Sequence, residues 1–326
     1  MKRTLTRKHS LHSHLIELYF YKKYTVKKIW TASAFIILIA LGVSSSGCFD
    51  SEATQSKEEL LKVGLIPTED QIEMMKKFEP VESYLETELG MNIETFTATD
   101  YTSVIEAMRA NKIDVAFFGP FSYVLASEQA DAEAIVTGGT ATGEVATYHS
   151  CIITHPDSGI SCIEDLKNNA TKITFSFVDP ASTSGNLIPR GYLLSIGVDP
   201  DTDFKSCLFA GGHDASGLAV KSKNVDAGAI YDIGYNRLIE SGAATTDDLI
   251  IIWESDPIPK SPIAVRGDLD NTLKTKIQQA FIDMPVKDPE AMKSFESKWE
   301  KNEQYVAVND STYEYLRDIA ISLGYI

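Results

Sequence analysis

The chain is poor in cysteine and histidine, the residues that most often hold metals or carry redox chemistry. Only four cysteines and six histidines occur among its 326 residues. Cys151, Cys162 and Cys207 match no metal-ligand spacing, and at least one of these three thiols must stay unpaired whichever disulfide forms. We therefore expect no metal centre and no cofactor of that kind.

Positive charge is also scarce beyond the first 48 residues. The chain has 30 Lys and Arg against 46 Asp and Glu, and eight of the basic residues but only one acid, Glu17, precede Phe49. The remaining body carries 22 basic and 45 acidic side chains, a formal charge of −23. Such a body is repelled by nucleic acid, so the sequence predicts no nucleic-acid partner.

No apolar run reaches the length of a bilayer-spanning helix. Residues 29–43 form a run of 15, whereas a span needs about 20. Lys27 and Lys28 precede this run, and small residues ending in Cys48 follow it, which is the arrangement of an export signal. Cys48 resembles the lipidated first residue of a bacterial lipoprotein, although Ser45 stands where a leucine is usual. The alternative is an uncleaved N-terminal anchor, and both interpretations place the body outside the cytoplasmic membrane.

We interpret residues 1–48 as a leader and the polar residues 49–60 as a tether. An exported body permits disulfides, which leaves a Cys151–Cys162 bond open.

From residue 61 onward, apolar strand patterns alternate with amphipathic helices. Leu61 to Pro67 reads as a buried strand, and apolar residues from Ile72 to Leu89 follow at helical spacing up to Gly90. Further strands are indicated at 93–98 and 113–120, with a capped helix between them. This alternation predicts an α/β fold with largely parallel sheets. Three helical patterns within 273–323 are assigned to packing.

Two segments of the chain repeat the same pattern. The first unit consists of Asp100 to Ser103, a short helix and a strand that contains Asp114. The second begins at 212–216, continues with a short helix and ends in a strand that contains Asp226. If the repeat reflects two lobes, Tyr101 and His213 occupy equivalent helix tips that face each other. Chance similarity between two α/β units is the alternative.

Three consecutive hydroxyl residues stand at a strand-to-helix turn. Ser182, Thr183 and Ser184 lie within the segment 179–189, between an apolar run and a helical pattern. Hydroxyls favour N-caps, and the unpartnered N–H groups and positive end of a helix attract anions. Gly185 is expected to let the backbone approach a ligand. A capped helix without a ligand is the simple alternative.

The sequence Asp-Pro-Ala-Ser-Thr-Ser-Gly at 179–185 resembles the anion-binding motif of the PhnD family. These proteins are the substrate-binding components of phosphonate and phosphite ABC importers, and the similarity extends through most of residues 61–263. The resemblance implies a type II periplasmic-binding-protein fold, in which two α/β lobes enclose a ligand cleft. It places lobe 1 at 61–148 plus 264–326 and lobe 2 at 149–263, including chain crossings near 147–153 and 253–264.

The resemblance also implies a set of ligand-binding residues. The three hydroxyls and His213 match donors to the phosphonate oxygens, and two tyrosines match residues that line the pocket. Two aspartates match acidic positions that face the ligand amine in 2-aminoethylphosphonate binders; a helix cap and a turn are the alternatives for them. The full set is Tyr101, Tyr148, Ser182, Thr183, Ser184, His213, Asp232 and Asp256.

These features imply an extracytoplasmic lipoprotein that captures a phosphonate and passes it to an ABC permease and ATPase. Phosphite, hypophosphite, methylphosphonate and phosphate remain alternative ligands. A ligand-sensing subunit or an exported hydrolase is the alternative of another class. The sequence contains no Gly-x-Ser-x-Gly nucleophile turn and no metal cluster for a hydrolase, so we expect a binding protein and not an enzyme.

Overall fold

The computed structural model describes residues 59–295 and 304–326. The predicted leader and Cys48 therefore lie outside the described residues. The described residues belong to one compact unit, and none of the helices among them is long and apolar enough to cross a membrane. Cys151, Cys162 and Cys207 are free thiols, so the disulfide that the sequence left open is not formed.

The described residues contain thirteen strands: β1 (Leu60–Leu65), β2 (Asn92–Thr97), β3 (Val115–Phe117), β4 (Ala132–Gly139), β5 (Thr147–Tyr148), β6 (Ser150–Thr154), β7 (Thr174–Phe177), β8 (Ser206–Phe209), β9 (Ala227–Tyr231), β10 (Ile250–Glu254), β11 (Ile258–Pro259), β12 (Pro262–Arg266) and β13 (Gln304–Ala307).

They also contain ten α-helices: α1 (Gln71–Leu89), α2 (Tyr101–Arg109), α3 (Pro120–Ala130), α4 (Ile163–Asn168), α5 (Ile188–Ser195), α6 (His213–Lys221), α7 (Asp232–Glu240), α8 (Asn271–Lys287), α9 (Pro289–Phe295) and α10 (Glu314–Ser322). Short 3₁₀ turns and one π-helical turn complete the regular structure: Pro156–Ser158, Ala170–Lys172, Thr183–Leu187 and Asp310–Tyr313.

Two separate sheets define two lobes. The first sheet has the order β13-β4-β12-β3-β1-β2 and carries helices α1, α2, α3, α8, α9 and α10; the second has the order β10-β6-β9-β7-β8 and carries α4 to α7. We call these units lobe 1 and lobe 2. The predicted α/β class is confirmed.

The prediction of largely parallel sheets is wrong for three of the six strands of the first sheet and two of the five strands of the second. Strands β2, β1 and β3 are parallel in lobe 1, as are β8, β7 and β9 in lobe 2, but β12, β4, β13, β6 and β10 pair antiparallel to their neighbours. For all of these strands except β13, the reason is the passage between lobes. The chain leaves lobe 1 through β4 and returns through β12, and it enters lobe 2 through β6 and leaves through β10. Strand β4 is therefore antiparallel to β12, and β6 is antiparallel to β10.

The junction between the lobes is a short ladder of its own. Strand β5 pairs antiparallel with β11, with Tyr148 opposite Ile258. In lobe 1, the Thr137 hydroxyl donates to the backbone oxygens of Lys260 and Ser261, at 2.8 and 2.9 Å. These bonds fix the start of β12 to β4, so the two crossing segments lie side by side beneath the cleft.

Helix α1 shows how local signals set the element bounds. The Asp70 carboxylate accepts hydrogen bonds from the N–H groups of Ile72 and Glu73, which caps the N-terminus. Gly90 ends the helix with φ +64°, a left-handed conformation that glycine adopts without strain. The helix predicted between Ile72 and Leu89 is confirmed, although Ile72 itself is 71% exposed.

Candidate functional site

A cleft of about 280 Å³ lies between the two lobes. Six of the eight residues that the sequence singled out line it, and each is at most 6% exposed: Tyr101, Tyr148, Ser182, Thr183, Ser184 and His213.

The three hydroxyl residues follow β7 by a few residues and begin a turn. The Ser182 hydroxyl accepts a hydrogen bond from the N–H of Gly185 at 3.1 Å and so acts as an N-cap. The next turn, Thr183–Leu187, is π-helical and leads into α5, whose first turn contains Pro189. The predicted helix start is confirmed, but its first turn is wider than an α-helix.

Gly185 has a different role from the one expected. A Cβ atom on Gly185 would lie 2.3 Å from the Cβ of Val178, and the Gly185 carbonyl accepts a hydrogen bond from the Val178 N–H at 2.9 Å. The glycine therefore allows the turn to fold back against the end of its own strand. It positions the neighbouring hydroxyls and does not line the cleft.

Thr183 joins lobe 2 to lobe 1. Its Oγ1 atom accepts a hydrogen bond from the N–H of Phe121 at 2.8 Å. Phe121 lies in the first turn of α3, whose N-cap residue, Gly119, has no side chain to cap it. A hydroxyl of one lobe thus caps a helix of the other. The Thr183 proton remains available for a further acceptor.

His213 is held as a neutral donor. It is the first residue of α6, and its Nδ1 atom accepts the N–H of Tyr231 at 3.2 Å. The proton of the neutral ring therefore lies on Nε2. Burial, with Arg237 adding to it, holds the pKa of His213 well below its usual value. The ring also packs on Tyr231, with centroids 4.0 Å apart.

The two predicted tyrosines are both buried in the lining of the cleft. Tyr101 begins α2, and its hydroxyl lies near Ser182 without forming a well-aligned hydrogen bond to any residue of 59–295 or 304–326. Tyr148 of β5 has its hydroxyl beside Ser184 and Thr183. Burial raises the pKa of both phenols, so both stay protonated and can donate.

The two predicted aspartates do not line the cleft. Asp232 is the first residue of α7, and its Oδ1 atom accepts the N–H of Ile233 at 2.8 Å. Asp256 is exposed in the turn between β10 and β11. Both positions agree better with the local roles that the sequence left open, a helix start and a turn, than with contact to a ligand.

Sequence reasoning missed a pair of charged residues in the lining of the cleft. Glu69 and Arg237 both line it, and the Arg237 Nε lies 3.5 Å from Glu69 Oε2. Lys77 also contacts Glu69 at 2.6 Å, and Asp214 contacts Arg237 at 2.5 Å. Glu69 follows β1 by a few residues, and the rule that ligands lie beyond the carboxyl ends of strands could have indicated it. No pattern in α7 pointed to Arg237.

The site contains donors but no metal-binding group. No cluster of His, Cys, Asp or Glu within the described part of the chain could hold a metal ion. Hydroxyl, phenol and imidazole donors converge on one buried cavity, which suits an oxyanion with several oxygens.

Replacing Gly185 with alanine should destabilise the turn. The new methyl group would overlap Val178, and overpacking of this kind reduces the free energy of unfolding by about 1–3 kcal/mol. Gly191→Ala in α5 is the matched control, because the nearest atom to its Cβ lies 3.5 Å away. Urea unfolding measures both variants. Equal stability of Gly185→Ala and the parent would contradict the close-approach explanation.

Acidification should destabilise the protein through His213. Above about pH 6.5 the imidazole is neutral in both folded and unfolded chains, so it contributes no pH dependence. Below that pH the unfolded chain binds a proton that the folded chain does not, because the folded pKa is depressed. The free energy of unfolding then falls by about 1.4 kcal/mol per pH unit for this group.

Urea unfolding between about pH 7 and 5 tests this dependence. The variant His213→Gln should show a shallower loss than the parent. His155, whose pKa burial also lowers, is present in both proteins and cancels in the comparison. Identical slopes would show that His213 is not held neutral.

Comparison with known proteins gives a consistent result. The family model described as "ABC transporter, phosphonate, periplasmic substrate-binding protein" matches residues 63–313. The chain is 33% identical over 255 residues to the phosphonates-binding periplasmic protein of Escherichia coli, covering 78% of this chain and 74% of that protein. It is 32% identical over 265 residues to the phosphate-import protein PhnD of Mycolicibacterium smegmatis, covering 78% and 81%.

A solved structure shows the same fold. The binding-protein component of an ABC phosphonate transporter from Pseudomonas aeruginosa superimposes with a TM-score of 0.74 at 30% identity, covering 81% of this chain and 86% of that one. The predicted type II periplasmic-binding-protein fold is confirmed. Its relatives bind substrates for transport and are not enzymes. The chain belongs to the family of extracytoplasmic substrate-binding proteins of phosphonate ABC transporters.

Proposed function

We propose that the chain binds a phosphonate, either 2-aminoethylphosphonate-like or an alkylphosphonate, in the cleft between its lobes. The observation that carries the proposal is the convergence of Ser182, Thr183, Ser184, His213 and the two tyrosines on one buried cavity. The E. coli relative is a phosphonates-binding protein by name. An ABC permease and its ATPase are the partners that would receive the ligand.

The donors fit the chemistry of a phosphonate head. Three oxygens with up to two negative charges can accept from hydroxyls, from the Nε2–H of His213 and from N-terminal N–H groups of the Thr183–Leu187 turn. Each hydrogen bond to a charged group contributes about 1.5–3 kcal/mol. Neutral donors suffice because the turn and α6 both begin at residues that line the cavity, and a helix start carries a partial positive charge.

Binding and lobe closure would be coupled by the same residues. Thr183 accepts a hydrogen bond from α3 of lobe 1. The backbone N–H of His213 donates to the Thr68 carbonyl of lobe 1 at 3.1 Å. Asp179 of lobe 2 accepts from the N–H of Tyr101 at 3.3 Å. A ligand that contacts both lobes favours the closed arrangement in which these bonds exist.

Phosphate is the second candidate. The M. smegmatis relative is a phosphate-import protein by name, and its sequence is nearly as similar as that of the E. coli relative. The same donors would accept a tetrahedral group with four oxygens. Phosphite is a smaller ligand of the same kind.

Removing either central donor should weaken phosphonate binding at least tenfold. Thr183→Ala and His213→Ala each lose one bond to the charged group, and tenfold corresponds to about 1.4 kcal/mol. Titration calorimetry with methylphosphonate measures the affinity. Thr183→Ser should retain most of it, since the hydroxyl remains. Ser195→Ala, an exposed position in α5, is the matched control. Unchanged affinity in both alanine variants would reject this site.

We further propose that Cys48 carries a lipid that anchors the protein to the outer face of the membrane. The support is the apolar run followed by Gly47-Cys48 in the sequence. Growth with a labelled fatty acid should label the parent, and Cys48→Ser should remain unlabelled. Equal labelling of the two proteins, or a parent without label, would contradict the anchor.

A further inference from the structure

The cleft has one carboxylate among its described lining residues. That carboxylate belongs to Glu69. Arg237 and Lys260 are cations of the same lining, and Lys260 has interactions of its own. A ligand with an ammonium group would have to use Glu69 as its counter-charge.

Glu69 is already engaged. Its side chain is only 10% exposed, and Oε2 contacts Lys77 at 2.6 Å and Arg237 at 3.5 Å. Arg237 is fixed in turn, because its guanidinium donates to Asp214 at 2.5 Å and to the Tyr231 hydroxyl at 2.9 Å. Two carboxylates and two cations therefore compensate one another, and none of the four charges is left for a ligand.

No acid other than Glu69 lines the cleft among the described residues, and Asp214 beside it is bonded to Arg237. Asp232 lies outside the lining with Oδ1 bonded to the Ile233 N–H, and it is Ile233 that lines the cleft. Asp256 is exposed to solvent. An ammonium group brought into such a cavity would lose its hydration without gaining an anionic partner, which is unfavourable.

We propose that the site selects phosphonates whose substituent is uncharged, and that Arg237 determines this specificity by holding Glu69. This inference rests on the proposed function and narrows its ligand class to alkylphosphonates. Arg237 acts through Glu69, so it is a positioning residue and not a direct contact for the phosphonate.

The first experiment compares two ligands of the same size on the purified full-length protein. Propylphosphonate and 2-aminoethylphosphonate differ in a terminal methyl against an ammonium group, so the effect of cavity size cancels. Calorimetry should give propylphosphonate an affinity at least tenfold higher. Equal affinities, or tighter binding of the amine, would overturn the inference alone. If neither compound nor methylphosphonate binds, the proposed function fails and this inference fails with it.

Two variants test the role assigned to Arg237. Arg237→Gln removes one cation from Glu69, and it should shift the affinity ratio of the two ligands towards the amine at least tenfold. Glu69→Gln/Arg237→Gln has no carboxylate to accept the ammonium group, so the shift should disappear. A ratio unchanged in Arg237→Gln, or a shift that persists without Glu69, would overturn the assignment. The ratio in the parent tests the selectivity whether or not the variants fold.

Discussion

The hydrogen bond between Thr183 Oγ1 and the Phe121 N–H is the contact on which the arrangement of the cleft depends. It connects the hydroxyl turn of lobe 2 to the uncapped start of α3 in lobe 1. The turn reaches that position because Gly185 lets it fold against Val178. Steric fit within lobe 2 thus fixes a polar contact between lobes, and Thr183 itself lines the cleft.

The cavity lining contains two kinds of polar group. The hydroxyl, phenol and imidazole groups are neutral donors, and burial keeps the imidazole uncharged. The charged lining residues include Glu69 and Arg237, which neutralise each other. This division suits a body with a large excess of acid, because an anionic ligand is held by oriented dipoles and not by a concentration of cations. A cavity of this kind discriminates between ligands by the position of its donors and by the ligand groups that it leaves without a partner.

Much of this organisation could be predicted from the sequence, because it is local. Helix α1 follows from its apolar spacing and Gly90, and the Ser182–Ser184 turn follows from three hydroxyls between a strand and a helix. The repeated unit correctly placed Tyr101 and His213 as the first residues of helices in different lobes. The Glu69–Arg237 contact could not be predicted, since it joins residues that lie far apart in the chain. The antiparallel strands were missed because alternation does not reveal where a chain changes lobes.

The position of β12 has a consequence for how the protein acquires its structure. This strand lies between β3 and β4 near the middle of the lobe 1 sheet, yet it follows all of lobe 2 in the chain. When the polypeptide emerges from its N-terminus during synthesis or export, the sheet of lobe 1 lacks an interior strand until lobe 2 has emerged. Lobe 2 is contiguous in the chain and can assemble first. In lobe 1, the facing edges of β3 and β4 stay unpaired until β12 has emerged. The order of assembly is therefore set by topology, and the period of exposed edges is when the chain most needs protection from aggregation.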